Sequence, residues 1–108
     1  MVNYKQALIY YISDGSDVYI GSTTSFSNRK YVHKHRCHNK SSEYYDDKLY
    51  DTIRRHGGWD KFEMGILKQY PCETRNELQQ YERHLIEKLK PNLNSSLPST
   101  NSNKYKQI

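Results

Sequence analysis

The side chains best suited to chemistry in this sequence are two tyrosines, an arginine, a histidine and one carboxylate. Tyr10 and Tyr19 flank a turn-forming segment, and Arg29 and His33 follow them at a spacing of four residues. Far downstream, Glu82 interrupts the apolar stripe of a predicted helix. In-line displacement at phosphorus needs an activated water, charge neutralisation and a metal on the oxygens. The set is therefore suited to cutting a phosphodiester.

Glu82 is the position that most clearly breaks its local pattern. The apolar residues around it on the predicted helix face are Leu78, Leu85, Ile86 and Leu89. A buried carboxylate without a partner is costly. One interpretation is a salt bridge to a basic residue of another element, which is the commoner case in proteins. The other is a metal ligand, because Mg²⁺ needs only one or two protein carboxylates and otherwise keeps water and phosphate oxygens.

The four residues upstream also have two interpretations each. Arg29 and His33 can form a solvated basic face, or Arg29 can bind a phosphate oxygen while His33 takes or relays a proton near neutral pH. Tyr10 and Tyr19 can simply pack, as strand tyrosines usually do, or act as a pair on facing strands. A tyrosine pKa is about 10, so a tyrosine base needs positive charge nearby.

The elements that position these residues begin with a hairpin. Residues 6–12 predict a strand, 13–17 a turn, and 18–20 a return strand that Gly21 ends. Ser25 is placed to cap a helix that runs to about His35 or Arg36. One face of that helix is predicted to carry Phe26, Arg29, Lys30 and His33.

The second half of the chain predicts two more helices and one strand. A helix over about residues 44–56 is expected to bury Tyr45, Leu49 and Ile53 and to end at Gly57-Gly58. A third, half-buried strand is indicated by the alternation of Phe62, Met64 and Ile66. Thr74 and Glu77 form a capping box that begins the last helix, and Pro91 ends it. Its predicted stripe is Leu78, Tyr81, Leu85, Ile86 and Leu89.

The order β-β-α-α-β-α predicts an α+β fold, a small three-stranded antiparallel sheet flanked by helices. The chain has 108 residues, enough for one compact domain. We assign that domain to residues 1–94. Residues 95–108 are mostly Ser, Asn, Thr, Pro and Lys, which predicts a polar, flexible tail or linker.

Charge points to a polyanionic partner. The net charge is +5, and the stretch from Ser22 to Lys40 has five basic residues and no acidic one. The candidate nucleic-acid-binding residues are Arg29, Lys30, Lys34, Arg36 and Lys40. Two cysteines do not make a disulfide framework, and no secretory signal or membrane-length apolar run is present. We therefore expect a soluble intracellular protein with no membrane partner.

In order along the chain, these residues resemble the GIY-YIG nuclease domain. The motifs that carry the resemblance are Ile9-Tyr10, Tyr19-Ile20-Gly21, Arg29, His33, Glu82 and Asn94. The similarity also includes residues 22–24, 53–58, 81–83 and 91–94, and it spans nearly the whole chain, from about Lys5 to Asn94. Each motif alone is short and unspecific, whereas all of them in order are highly specific. The pairing of residues 81–83 with 91–94 and the Gly57-Gly58-Trp59 patch resemble the compact stand-alone, homing-endonuclease-like members often found in large DNA viruses and mobile elements.

The resemblance implies a metal-dependent DNA endonuclease. Its members use one divalent ion, Mg²⁺ or Mn²⁺, held by the glutamate that matches Glu82. The tyrosine matching Tyr10 or Tyr19 is expected to activate water. Arg29 then matches the arginine that stabilises the phosphate, and His33 matches a histidine that assists proton movement or binds phosphate.

Two details depart from the family pattern. Leu8 stands where the first motif has glycine, and the stretch between the two tyrosines is shorter than usual. Glycine permits close backbone approach, so Leu8 is expected to alter packing under the hairpin. Neither departure removes a side chain with an implied role, including Asn94, which helps to set the site.

Rival interpretations remain open from the sequence. A zinc site would use His33, His35, Cys37 and His38, but the spacing is poor and no second pair lies nearby. A stronger rival is a catalytically weakened DNA-binding domain of the same fold, which the basic helix would serve equally well. We expect a monomer or transient dimer, with a DNA-recognition domain supplied separately from this chain.

Overall fold

A computed structural model of the protein describes residues 2–94. Its strands and helices are β1 Leu8–Ser13, β2 Val18–Thr23, α1 Phe26–His38, α2 Lys48–Arg55, β3 Glu63–Gln69 and α3 Arg75–Leu89, with short 3₁₀ helices at Tyr4–Gln6 and Trp59–Lys61. The sheet is antiparallel with strand order β2-β1-β3. This confirms the predicted α+β fold and its element order. The tail predicted at 95–108 lies outside the described residues.

The β1–β2 hairpin is longer than predicted. Gly21 does not end β2, which continues to Thr23. Gly21 pairs with Tyr10, and a Cβ at Gly21 would lie 2.5 Å from both Cζ and the hydroxyl oxygen of Tyr10. Glycine is needed at position 21 because the Tyr10 ring lies across the backbone there. The strand itself does not stop at this residue.

The sheet separates two apolar clusters, as the alternation of β1 side chains requires. One face packs under α1 and α2, where the buried residues are Leu8, Tyr10, Ile12, Cys37, Leu49, Tyr50, Ile53, Trp59, Met64 and Leu93. The other packs under α3, where they are Ala7, Ile9, Ile20, Cys72, Leu78 and Ile86. Leu8, the departure in the first motif, is one of the packing residues of the first cluster.

The first two helices differ from their predicted bounds. Helix α1 extends to His38, and Ser25 occupies its N-cap without a side-chain hydrogen bond. The predicted start of the second helix at residue 44 is wrong, because residues 43–46 form turns and α2 begins at Lys48. Tyr45 is consequently half-buried outside the helix, where the Arg54 guanidinium stacks on its ring at 3.5 Å and donates to its carbonyl at 2.6 Å. These contacts of Arg54 favour the turn at residues 43–46 instead of an earlier start of α2.

For β3 and α3, the predicted ends agree with the structure better than the predicted burial of the apolar side chains. The capping box of Thr74 and Glu77 is present at the start of α3. In β3, however, Met64 is buried whereas Ile66 is 47% exposed, because this edge strand has little covering it and its register shifts opposite Ile9 and Tyr10. Burial along α3 also stops short of the predicted stripe, since Leu89 in its last turn is 52% exposed.

None of the helices within residues 2–94 is long and apolar enough to cross a bilayer.

Candidate active site

A cavity of about 230 Å³ opens beside β2, between α1, α2 and α3. It is lined by Tyr19, Arg29, His33, Arg36, Tyr44, Asp47, Leu49, Tyr50, Glu82, Leu93 and Asn94. Five of the six residues expected to carry chemistry therefore line this one cavity, although they come from four separate segments of the chain. The sixth, Tyr10, lies beneath the cavity and is not part of its lining.

The two tyrosines lie on the same face of the hairpin with different access. Tyr10 pairs with Gly21 and Tyr19 with Ile12, so the two rings are diagonal neighbours with centroids 6.3 Å apart. Tyr10 is 2% exposed, and burial raises its pKa far above the ordinary value. Burial also raises the pKa of Tyr19, to about 12, although the charge of Arg29 lowers it. Tyr19 is therefore the tyrosine that a ligand in the cavity can reach.

His33 is held in the centre of a buried hydrogen-bond chain. Its Nε2 lies 2.6 Å from the Tyr10 hydroxyl, and its Nδ1 lies 2.7 Å from the Tyr50 hydroxyl. Burial lowers the pKa of His33 to about 3, and the charges of Arg29 and Arg36 lower it further. These surroundings keep the ring neutral near neutral pH, so of the two roles expected of His33, taking or relaying a proton, the relay fits its surroundings better. The His33 ring links the Tyr10 and Tyr50 hydroxyls, with one hydrogen bond to each.

Glu82 is buried, as its place on the α3 stripe predicts. It is 9% exposed, and its Oε1 accepts a hydrogen bond from the Ser22 hydroxyl. Burial raises the Glu82 pKa to about 7, while the bond from Ser22 and the charge of Arg29 oppose the rise. Within residues 2–94, no basic side chain lies within 4.0 Å of this carboxylate. The salt-bridge interpretation is therefore wrong, and the group is a lone hard-oxygen donor facing a cavity.

Asn94 ties the chain after α3 to the edge of β2. Its amide nitrogen donates to the carbonyl of Ile20 at 2.7 Å, and its amide oxygen accepts from the Ile20 N–H at 2.9 Å. The side chain of Asn92 accepts from the Val18 N–H at 2.8 Å in the same way. These bonds place Asn94 in the cavity wall and fix the strand that carries Tyr19.

The basic residues of α1 divide into two groups. Arg29 and Arg36 line the cavity, and the Arg36 guanidinium lies 3.8 Å from the centre of the Tyr44 ring. Lys30 and Lys34 are exposed on α1, and Lys40 is exposed just beyond its end. Lys30, predicted to share a helix face with Arg29 and His33, is exposed and does not line their cavity, since a step of one residue from Arg29 turns its side chain by about 100° around the helix axis.

Three cavity residues were not singled out by their sequence, namely Tyr44, Asp47 and Tyr50. The first two lie in the turn that precedes α2, where a helix was predicted. Tyr50 follows Leu49 on the buried side of α2. The sequence does carry one signal for Tyr50. A tyrosine on an apolar helix face buries its hydroxyl, and a buried hydroxyl needs a hydrogen-bond partner.

A second cluster with metal-binding side chains lies at the hairpin turn, away from the cavity. It consists of Asp14, Asp17 and His56, whose ligand atoms lie within 4.8 Å of one another. The carboxylates already accept hydrogen bonds: Asp14 from the N–H of Ser16 at 3.0 Å, and Asp17 from the amide of Asn92 at 2.7 Å. His56 Nδ1 lies 3.0 Å from an Asp17 carboxylate oxygen, so these polar contacts hold the hairpin turn against the residue that follows α2.

The fold is shared with solved nuclease structures. The catalytic domain of the homing endonuclease I-TevI superposes with a TM-score of 0.66 at 24% identity, covering 88% of this chain and 99% of that one. A mutant of the catalytic domain of the intron endonuclease I-TevI gives a TM-score of 0.68 at 24% identity, covering 88% and 98%. No curated protein matches the chain significantly.

The sequence pattern of the GIY-YIG catalytic domain matches residues 6–95, which is most of the chain. The chain therefore belongs to the GIY-YIG family and carries a nuclease domain of the type that the sequence resemblance indicated.

Proposed function

We propose that this protein is a divalent-metal-dependent DNA endonuclease that hydrolyses phosphodiester bonds with one Mg²⁺ or Mn²⁺ ion held by Glu82. The observation that carries the proposal is the lone buried carboxylate of Glu82 in the same cavity as Arg29 and Tyr19. A carboxylate, a guanidinium and a phenol together offer metal binding, phosphate binding and proton transfer.

The donor set fits a magnesium-type ion. Glu82 offers hard carboxylate oxygens, and the cavity leaves room for water and phosphate oxygens, which Mg²⁺ keeps as its other ligands. When bound, such an ion acts as a Lewis acid on the phosphate oxygens. A cation beside Glu82 also favours its ionised form, against the burial that raises its pKa to about 7.

Tyr19 is the better candidate for the group that activates water. It lines the cavity, whereas Tyr10 is buried below it. Arg29 lowers the pKa of Tyr19 against the effect of burial, which eases removal of its proton. Tyr10 and His33 then support Tyr19 from beneath, and Asn94 holds its strand.

Arg29 is proposed to bind the phosphate at which bond cleavage occurs, because its planar fork matches charge on phosphoryl oxygens. Arg36 lines the same cavity and would bind a neighbouring phosphate. Lys30, Lys34 and Lys40 would contact the DNA backbone outside the cavity. Since such contacts release counterions, affinity for DNA should fall steeply as salt rises. Binding that barely changes between low and high salt would contradict this arrangement.

Residues 1–94 are proposed as the nuclease domain, acting as a monomer or transient dimer. Contacts to phosphates carry no sequence information directly. Selection of a DNA sequence would then require a separate DNA-recognition domain.

Plasmid cleavage tests the proposal. Wild-type protein with Mg²⁺ should nick or cut supercoiled DNA, and EDTA should stop it. Glu82→Gln should lower the rate by at least about 100-fold, because it removes the proposed metal ligand while keeping the shape. The matched control is Glu87→Gln on the exposed side of the same helix, which should cut like the wild type.

Two other results would contradict separate parts of the proposal, the metal ligand and the nuclease activity. Cleavage that persists in folded Glu82→Gln would remove this residue from metal binding. Wild-type protein that binds DNA but stays inert with Mg²⁺ and Mn²⁺ would instead favour the weakened DNA-binding domain.

A further inference from the structure

Two neighbouring tyrosines in the turn before α2 each stack on an arginine. The Arg36 guanidinium lies 3.8 Å from the centre of the Tyr44 ring, and that of Arg54 lies 3.5 Å from the centre of the Tyr45 ring. An aromatic ring attracts the planar cation and limits how the group can turn. Each tyrosine therefore restrains one arginine, but the two arginines use their donors differently.

Arg54 directs its donors to the protein itself. Its Nη1 donates to the carbonyl of Cys37 at 2.9 Å, and its Nη2 donates to the carbonyl of Tyr45 at 2.6 Å. These two bonds join the last turn of α1 and the turn before α2 to α2 itself. The stack of Tyr45 on Arg54 is therefore part of the framework that holds this turn in place.

Arg36 has no such partners within residues 2–94. The arginine side chains that donate hydrogen bonds there are Arg54, Arg55 and Arg83. No carboxylate of these residues lies within 4.0 Å of the Arg36 guanidinium, which lines the cavity and is half-buried. Burial raises the pKa of Asp47 in the same cavity, and the charge of Arg36 opposes that rise. A guanidinium with unused donors in a cavity is suited to an anion that enters from outside.

The backbone of Tyr44 is held on both sides of its ring. The Tyr44 N–H donates to the Ser42 hydroxyl oxygen at 3.1 Å, and the Tyr44 carbonyl accepts from the Asp47 N–H at 2.9 Å. These bonds fix where the ring leaves the turn, although the residue is 39% exposed. A ring fixed in the cavity wall can restrain Arg36 before a ligand arrives, so that less conformational freedom is lost on binding.

We propose that Tyr44 is a positioning residue that holds the Arg36 guanidinium for a second DNA phosphate, beside the phosphate bound by Arg29. Arg29 and Arg36 are seven residues apart on α1, which separates their backbones by about 10 Å along the helix axis. Both side chains line the same cavity. Guanidinium groups so spaced suit separate phosphates of one DNA strand. The inference rests on the proposed function, from which the identity of the anion as a DNA phosphate follows.

Binding of a fluorescent DNA duplex in EDTA, measured over a range of salt concentrations, tests the phosphate contact without cleavage. Arg36→Met keeps much of the stem and removes the charge. It should weaken binding about tenfold at about 0.1 M salt and lower the slope of log affinity against log salt by about 0.9. The matched control is Arg55→Met, which should keep the wild-type slope because that guanidinium already pairs with Asp51 at 2.9 Å. A wild-type slope in Arg36→Met would overturn the inference.

The positioning role is tested through the ring. Tyr44→Leu keeps an apolar side chain but removes the aromatic face, and it should weaken binding about threefold. Tyr44→Phe keeps the ring and should restore the affinity. In the Arg36→Met background, Tyr44→Leu should change the affinity less than about 1.5-fold, because its effect passes through Arg36. Equal losses with and without Arg36 would overturn the positioning role.

A double variant decides whether two phosphates are bound. Arg29→Met alone should lower the salt slope by about 0.9, and Arg29→Met with Arg36→Met should lower it by about twice as much. A double variant with the slope of either single variant would show that both arginines bind one phosphate. That result would overturn the second phosphate site.

Cleavage kinetics separate this inference from the proposed function. Tyr44→Leu should raise KM about threefold with kcat changed less than about twofold, because the contact lies away from the bond that breaks. A fall in kcat with KM unchanged would overturn the role at a second phosphate. A wild type that binds DNA without cutting it would refute the proposed enzyme, whereas the salt slopes would still decide the roles of Tyr44 and Arg36.

Discussion

Two buried groups in the cavity should give opposite pH dependences of stability. Burial lowers the pKa of His33 from 6.5 to about 3 and raises that of Glu82 from 4.5 to about 7. The unfolded chain binds the histidine proton more readily, so the contribution of His33 is lost as pH falls below about 6.5. The folded chain binds the glutamate proton more readily, so Glu82 adds stability as pH falls below about 7.

Linkage gives the size of both effects. When the pH falls from 7.5 to 5, His33 should lower the free energy of unfolding by about 2 kcal/mol, and Glu82 should raise it by about 2 kcal/mol. The wild type should therefore change little over this range. His33→Gln leaves only the glutamate effect, and this variant should be about 2 kcal/mol more stable at pH 5 than at pH 7.5. Glu82→Gln should show the reverse.

The assay is urea unfolding at the two pH values with EDTA present. Both substitutions also remove hydrogen bonds, so the quantity to compare is each protein's change in free energy between the two pH values. His38→Gln, on the exposed side of α1, is the control and should follow the wild type. A His33→Gln protein whose pH dependence parallels the wild type would refute the reasoning that His33 is buried and neutral.

Three further substitutions test packing around the site. Gly21→Ala should cost about 2 kcal/mol or more, because its Cβ would meet the Tyr10 ring at 2.5 Å; an unchanged Tm would show that Tyr10 yields freely. Arg54→Ala should cost about 2 kcal/mol through two lost carbonyl bonds, whereas the exposed Arg55→Ala should be nearly neutral in urea unfolding; equal effects would contradict this. Thr74→Ala should cost about 1 kcal/mol by loss of the cap in thermal unfolding, and no loss would mean that the capping box contributes nothing.

Local signals in the sequence predicted the parts of the fold that depend on neighbours along the chain. The capping box of Thr74 and Glu77 and the helix-ending Gly57 and Gly58 are such signals, and the two glycines have φ of 110° and 103°. The inward orientation of Glu82 followed from its place on an apolar stripe. Each of these rests on spacing alone.

What the sequence could not predict depends on contacts between distant segments. The turn before α2 is held by Arg54, which reaches back to Tyr45, and no helix propensity encodes that contact. The low pKa of His33 requires knowing that two phenols enclose the ring. The exposure of Ile66 depends on how much of β3 remains uncovered, which strand alternation does not reveal.

The hydrogen bonds of Asn92 and Asn94 to β2 also bear on whether another chain could add a strand to this sheet. As an outer strand, β2 would offer a row of free N–H and C=O groups to which another chain could add a strand. The amides of Asn92 and Asn94 occupy the groups at Val18 and Ile20, and the Leu93 N–H donates to the Val18 carbonyl. This stretch of the edge beside the cavity is therefore closed to amyloid-like sheet extension. The same bonds that shape the cavity wall also protect against aggregation.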